Sequence, residues 1–305
     1  MPDVANETAD ASRALIASLR ERLKSGQAEL RSTYESTTNA NAMLRGRAAL
    51  VDGVLREIWQ HFALPDTLAL AAVGGYGRGE LYPASDVDIQ LLLPNDVGND
   101  HDKNIEPLIG LLWDIGLDVG HSVRNIAECG REAARDITVQ TNLLESRLIA
   151  GSRKTFNEFT AEMHARLDPQ AFFKAKQLEQ AERYARYNDT PFSLEPNCKE
   201  SPGGLRDLQI ILWIGRATGL GSSWRQLVKN DLLTDTEARH LEHIERFLQH
   251  TRIRLHYIAG RREEKLSFEH QEAVALAFGI GRSAAKPAFV NVCASQMTWQ
   301  YGKVK

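Results

Sequence analysis

The sequence predicts an α+β fold: a small mixed β-sheet core, preceded by helices and followed by a mainly α-helical bundle. Three observations predict it. Residues 68–73 (LALAAV) form a short apolar run closed by Gly74 and Gly75, the mark of a buried strand. Asp86-Val87-Asp88-Ile89 alternates acid with apolar side chain, and a strand puts i and i+2 on one face. On both sides of this core the apolar positions recur at helical spacing instead.

Residues 1–64 read as helices that pack on the core. Leu15, Ile16, Leu19 and Leu23 share a helical face, with Gly26 weakening the continuation toward Leu30 and Tyr34. A second helix carries Leu44, Val51, Leu55, Ile58, Trp59 and Phe62 on one side and ends before Pro65. Both are expected to be scaffold.

Residues 65–135 form the expected catalytic core. After the first strand, Gly75-Tyr76-Gly77-Arg78-Gly79 reads as a loop offering backbone N–H groups and a guanidinium, both suited to phosphate oxygens. Gly74 and Gly75 let backbone approach a phosphate where a side chain would block it. Arg78 has an alternative partner in Glu80. Asp86 and Asp88 repel each other on one strand face, and a bound divalent cation keeps both ionised. Beyond Pro94, Asp100-His101-Asp102 mimics a second acid pair, but lacks alternating apolar neighbours and reads as solvated loop. Residues 105–115 read as a helix with Ile109, Leu112 and Trp113 on one side, stopped by Gly116. Leu117-Asp118-Val119 begins another strand-like alternation, which makes Asp118 the candidate third carboxylate, with a surface strand acid or a strand-end cap as the other reading.

Residues 136–282 are expected to be almost wholly helical, with Leu143, Leu144, Leu148 and Ile149 on one helix. Another helix starts at Pro169, a favoured first-turn proline, and runs to about Asn188. A long loop then feeds a helix over 205–217, whose first turn carries Arg206 and Asp207 at the positive end of the dipole. Ser223/Gln226 and Thr234/Glu237 have capping-box spacing. The second opens a long helix with Leu241, Ile244, Phe247, Leu248, Leu255 and Ile258 inward, and Arg252, Arg254, Arg261 and Arg262 as a solvated basic stripe. Residues 283–305 form an atypical tail interrupted by Pro287.

Composition narrows the function. A net charge of −3 over 305 residues argues against a general nucleic-acid groove. Cys129, Cys198 and Cys293 are widely spaced, so neither a disulfide framework nor a zinc site is expected, and a reducing cytoplasm fits. No run is long enough to span a bilayer, and the first fifteen residues hold no apolar signal core. No Gly-Lys-Ser/Thr follows the glycines, which excludes a Walker A loop, and the acids lie too near for a ribose-binding Rossmann partner.

Gly-Gly, a short gap and Asp-apolar-Asp-apolar resemble the polymerase-β-like nucleotidyltransferases. The wider wording GGYGRGEL…SDVDIQLLL, then WDIGLDVGHSVR, then NCKESPGGLRDLQ resembles the bacterial PII uridylyltransferase/uridylyl-removing family, in order, over roughly residues 50–282. The resemblance implies transfer of UMP from UTP to a tyrosine of the PII signalling protein, with pyrophosphate released. It implies two Mg²⁺ ions held by Asp86, Asp88 and Asp118, and a nucleotide-binding set of Gly74, Gly75, Arg78, Ser85 and Arg206. It also places His121 near the site, although a structural histidine is an equal reading there. That family continues into a metal-dependent hydrolase domain and small-molecule-sensing domains, which are not found in this sequence. Uridylyl removal and sensing are therefore not expected of it, and truncation or a departed tail is. A related adenylyl- or other nucleotidyltransferase, and a silent nucleotide-binding fragment, remain open alternatives.

Overall fold

The computed structural model describes residues 3–95, 102–190 and 192–279. The expected tail at 283–305 and the acid–histidine pair Asp100-His101 lie outside the described residues. The chain divides into two compact units, residues 1–81 with 85–166, and Tyr82–Ala84 with the chain from Leu167 onward.

The first unit opens with α1 (Asp3–Thr37) and α2 (Ala40–His61), the latter capped by the Asn39 side chain accepting from the Ala42 N–H. Gly26 does not break α1. A Cβ there would sit 2.8 Å from Leu50 of α2, and one at Gly46 would sit 2.5 Å from Leu30. The glycines let two helices approach closely, and that packing outweighs their helix propensity.

The sheet has the order β3-β2-β1-β4, built from β1 (Ala69–Ala72), β2 (Val87–Leu93), β3 (Val119–Asn125) and β4 (Arg147–Gly151). β1 runs antiparallel to β2 and β4, while β2 and β3 are parallel, joined through α4 (Asp102–Asp114). The sheet is mixed, as expected. Trp113, however, is 57% exposed and does not share the buried side of α4 with Ile109 and Leu112. Leu19, Val51, Leu55 and Ile58 join Leu70, Val87, Ile89, Leu91 and Leu112 in one apolar core. A second core, with Ala69, Ala71, Val73, Leu92, Leu143 and Phe159, gathers parts of α5 (Ile126–Arg135), α6 (Ile137–Leu144) and α7 (Arg153–Ala165).

One expected helix does not form. Leu143 and Leu144 end α6, whereas Leu148 and Ile149 belong to β4, which pairs with the open edge of β1. The apolar spacing fits a helical face equally well, so periodicity alone could not separate the two. Long-range ladder bonds and the pairing of Arg147 with Asp52 decide for the strand. Arg147 donates to both carboxylate oxygens of buried Asp52 at 2.6 and 3.0 Å, and Tyr76 Oη donates to the same group at 2.6 Å. A strand of the sheet therefore lies past residue 135, where the helical domain was expected to begin.

The second unit is helical: α8 (Pro169–Arg186), α9 (Leu205–Ala217), α10 (Trp224–Lys229), α11 (Asp235–Ala259) and α12 (Phe268–Ala277). Thr234 and Glu237 form the expected reciprocal cap. At α10 only half of the box closes: Ser223 accepts from Gln226 N–H, while the Gln226 side chain turns to the Ser222 N–H instead. Ile258 is 38% exposed and not inward. Nor is Arg252 part of a solvated stripe. It is buried, donates to both oxygens of Glu264 and stacks 3.8 Å from the Tyr82 ring centroid.

Candidate active site

The glycine-rich turn is more ordered than a loop. Gly74–Gly77 forms one short helical turn, α3, with Gly74 in the left-handed region at φ 57°. The N–H groups of Gly77, Arg78, Gly79 and Glu80 are spent on the carbonyls of Val73, Gly74, Tyr76 and Gly75. They do not face outward as the sequence suggested, because the chain folds back on itself within five residues. Arg78 takes the alternative left open by the sequence. Its guanidinium pairs with Glu80 at 3.0 Å and with buried Glu145, and these carboxylates hold it ionised well above its ordinary range against the cost of burial.

The acid pair has the expected strand parity. Val87 and Ile89 are buried while Asp86 and Asp88 are half-buried, with Asp86 one residue before β2 begins. The parallel register sets Asp88 opposite Gly120 and Val87 opposite Val119. The Val87 N–H donates to the Asp118 carbonyl at 2.8 Å, which continues the pairing toward Asp86 and Asp118. Asp118 itself precedes β3, and its side chain is exposed.

Two glycines shape the ground around Asp88. A Cβ on Gly120 would come within 2.4 Å of Asp88 Oδ1, so only glycine leaves the carboxylate in place. A Cβ on Gly74 would lie 3.2 Å from Asn142 Oδ1 and 3.9 Å from Asp88 Oδ2. β1's closing turn, β2, β3 and α6 therefore meet at this carboxylate. A cleft of about 220 Å³ opens beside it, with Gln90, Ser122, Arg124 and Asn142 among its polar lining.

Two half-buried carboxylates either side of buried Val87, with bare backbone preserving room beside Asp88, are a donor set that fits a hard divalent cation. Asp86 and Asp88 are the residues that would hold it. Among the described residues no three His, Cys, Asp or Glu side chains gather closely enough to hold a metal on their own.

The remaining candidates separate. Ser85 is half-buried, and its carbonyl accepts from Arg47 at 3.5 Å. His121 is exposed, its ring edge-on to Trp113 at 5.8 Å, and it lines the cleft beside Asp88 as the sequence placed it. Arg206 belongs to the second unit, where it pairs with Glu200 at 3.1 Å, bonds Gln209 and lies over the Trp213 ring. Asp207 beside it is fully buried and accepts from Arg183, Tyr184 and the Gly203 N–H, so it closes its own loop onto α9. Cys129 and Cys198 are buried free thiols, and burial pushes Cys129 up to about 11, which keeps it a thiol at neutral pH. Asn142 was missed. It is one of several polar positions in α6, beside Thr138, Gln140 and Thr141, with no motif around it.

Residues 54–144, which contain this whole constellation, match the nucleotidyltransferase domain, and residues 171–298 match the family described as GlnD PII-uridylyltransferase. A bifunctional uridylyltransferase/uridylyl-removing enzyme of Aromatoleum aromaticum is 54% identical over 288 residues, 94% of this chain and 33% of the relative. The enzymes of the same description from Nitrosospira multiformis and Burkholderia vietnamiensis are 50% and 52% identical over 88% and 89% of the chain. The chain carries a nucleotidyltransferase domain and a stretch that matches the PII-uridylyltransferase family. It spans about a third of the length of these relatives. The family match reaches residue 298, so the likeness extends past residue 282, where the three sequence blocks left it. No helix among the described residues is long and apolar enough to cross a membrane.

Proposed function

We propose that this chain transfers UMP from UTP to a tyrosine hydroxyl of PII and releases pyrophosphate. The observation that supports the reading is half-buried Asp88, with Gly74 and Gly120 kept bare beside it and Asp86 two residues before it, inside the stretch that matches a nucleotidyltransferase domain. The names of the relatives support uridylyl as the transferred group, and the description of the matched family supports PII as its acceptor.

Mg²⁺ bound at the acid pair would neutralise triphosphate charge and lower the pKa of the acceptor hydroxyl. The protein's own part is to hold two carboxylates fixed where that charge is needed, at no reorganisation cost during reaction. Asp118, exposed beside the continuation of the β2–β3 register, takes the tyrosine proton. The tyrosine oxygen then bonds to the α-phosphorus as the bond to the β-phosphate bridging oxygen breaks in line. Gly74 offers backbone approach to the phosphates. Arg78, committed to Glu145 and Glu80, supports that turn from behind.

The test is label transfer from α-labelled UTP to purified PII with Mg²⁺. Labelled PII is expected from the intact chain, and Asp86→Asn and Asp88→Asn are expected to lower the rate by about a hundredfold or more. Undiminished transfer in those variants would exclude the site. Preferential labelling from ATP would overturn the uridylyl assignment.

A further inference from the structure

The cleft beside Asp88 holds two polar side chains that the fold does not use. Gln90 and Ser122 satisfy each other: Ser122 donates to Gln90 Oε1 at 2.5 Å, and Gln90 Nε2 donates to the Leu91 carbonyl at 3.0 Å. Arg124 and Asn142 line the same cleft, are half-buried, and make no side-chain hydrogen bond or ion pair among the described residues. Leaving a half-buried guanidinium and carboxamide unengaged forfeits hydrogen bonds that a ligand can restore.

Their placement gives the cleft two ends. Asn142 stands at the Asp88 end, against the bare Cα of Gly74. Arg124 stands four residues along β3 from Gly120, about 13 Å at the rise of a strand, and parity keeps it on the face of Asp88. We propose that this cleft is the nucleoside subsite, with Asn142 bonding a phosphate oxygen beside Gly74 and Arg124 reading the C4 carbonyl oxygen of a pyrimidine ring. The inference rests on the nucleotidyltransferase reading above and adds the residues that select the base.

The chemistry favours uracil. A guanidinium offers only donors, and its fork closes on the C4 carbonyl of uracil from the side away from the ring N–H. Cytosine and adenine turn an amino donor toward the same fork. Guanine would satisfy an arginine through its O6 and N7, but it is bicyclic, and a cleft of about 220 Å³ falls below the usual range of sites that enclose larger ligands.

Calorimetry on the full chain with Mg²⁺ tests this, using UTP, CTP, GTP and inorganic tripolyphosphate as probes. Arg124→Met is expected to weaken UTP about tenfold, erase the preference for UTP over CTP, and leave tripolyphosphate unchanged. Asn142→Ala should weaken UTP and tripolyphosphate alike. The inference is overturned if Arg124→Met binds UTP as before, if tripolyphosphate weakens in parallel, or if GTP binds the native chain more tightly than UTP. Arg124→Lys guards against misfolding: it keeps charge and stem but loses the fork, so it should also lose the UTP preference with an unchanged circular dichroism spectrum. Because binding is read without turnover, Arg124-dependent UTP selectivity in a chain that labels no PII sinks the transferase reading alone. Labelling with base selectivity indifferent to Arg124 sinks only this inference.

Discussion

Asp88 is defined less by its own chemistry than by what its neighbours lack. Gly120 faces it across the β2–β3 ladder, and one added methyl would stand 2.4 Å from its Oδ1. The carboxylate would have to turn away, while the backbone of β3 would barely notice. Gly120→Ala is therefore expected to lower transfer from UTP by at least about tenfold, as misplacement of a reacting group does, with a melting temperature within a few degrees of the native chain. Native-like turnover in the alanine variant would show that Asp88 need not hold this rotamer. Asp86 and Asp88 were legible from sequence because a period of two leaves no other way to bury Val87 and Ile89. Asn142 was not legible, since its approach to Gly74 spans 68 residues and depends on where α6 packs.

Elements meet at the turn between α6 and β4. Glu145, almost wholly buried, closes on Arg78 just after α3, while Arg147, two residues on, clamps Asp52 of α2. One turn thus ties the glycine-rich corner to the scaffold helix through two charge pairs. Removing one partner of a buried pair leaves the other charge uncompensated, which typically costs more than the intact pair contributes. Glu145→Ala is expected to destabilise the chain by about 3 kcal/mol in chemical denaturation, and Glu145→Gln by less, because the amide keeps a hydrogen-bond acceptor. A shift no larger than that of an exposed pair such as Lys154–Glu158 would refute the clamp. The sequence read residues 143–149 as helix because nothing local records that β1 has an open edge to fill.

At the scale of the molecule, charge is buried unevenly. In the second unit Lys199 is surrounded by Arg206, Arg252, Glu200 and Glu264, and burial together with the two arginines pushes its ammonium down from 10.5 to about 8. The folded chain then releases this proton at about 8, whereas the unfolded chain keeps it to 10.5. Between those values the unfolded state binds more protons, so stability rises with pH, and below 8 the full cost of the buried charge is present. Lys199→Met removes the titration. From pH 7.5 to 10 the native chain should gain on the variant by roughly 2–3 kcal/mol in urea midpoints. A constant difference would refute the burial of a charged amine there.

The same scale separates the residues of the expected site. Seven of them, Asp118 included, lie in the first unit, while Arg206 is bound into the charge cluster of the second. By itself the sequence determined the strand–turn–strand carrying the acids, the flanking helices, their caps and the family, because those follow from side-chain period, glycine spacing and local hydrogen bonding. Only the tertiary structure decided that β4 completes the sheet, that Arg78 faces Glu145, and that Arg124 and Asn142 flank one cleft with Asp88. Each of those depends on residues distant in sequence competing for one edge, one charge or one cavity, and such a contest leaves no local pattern in the chain.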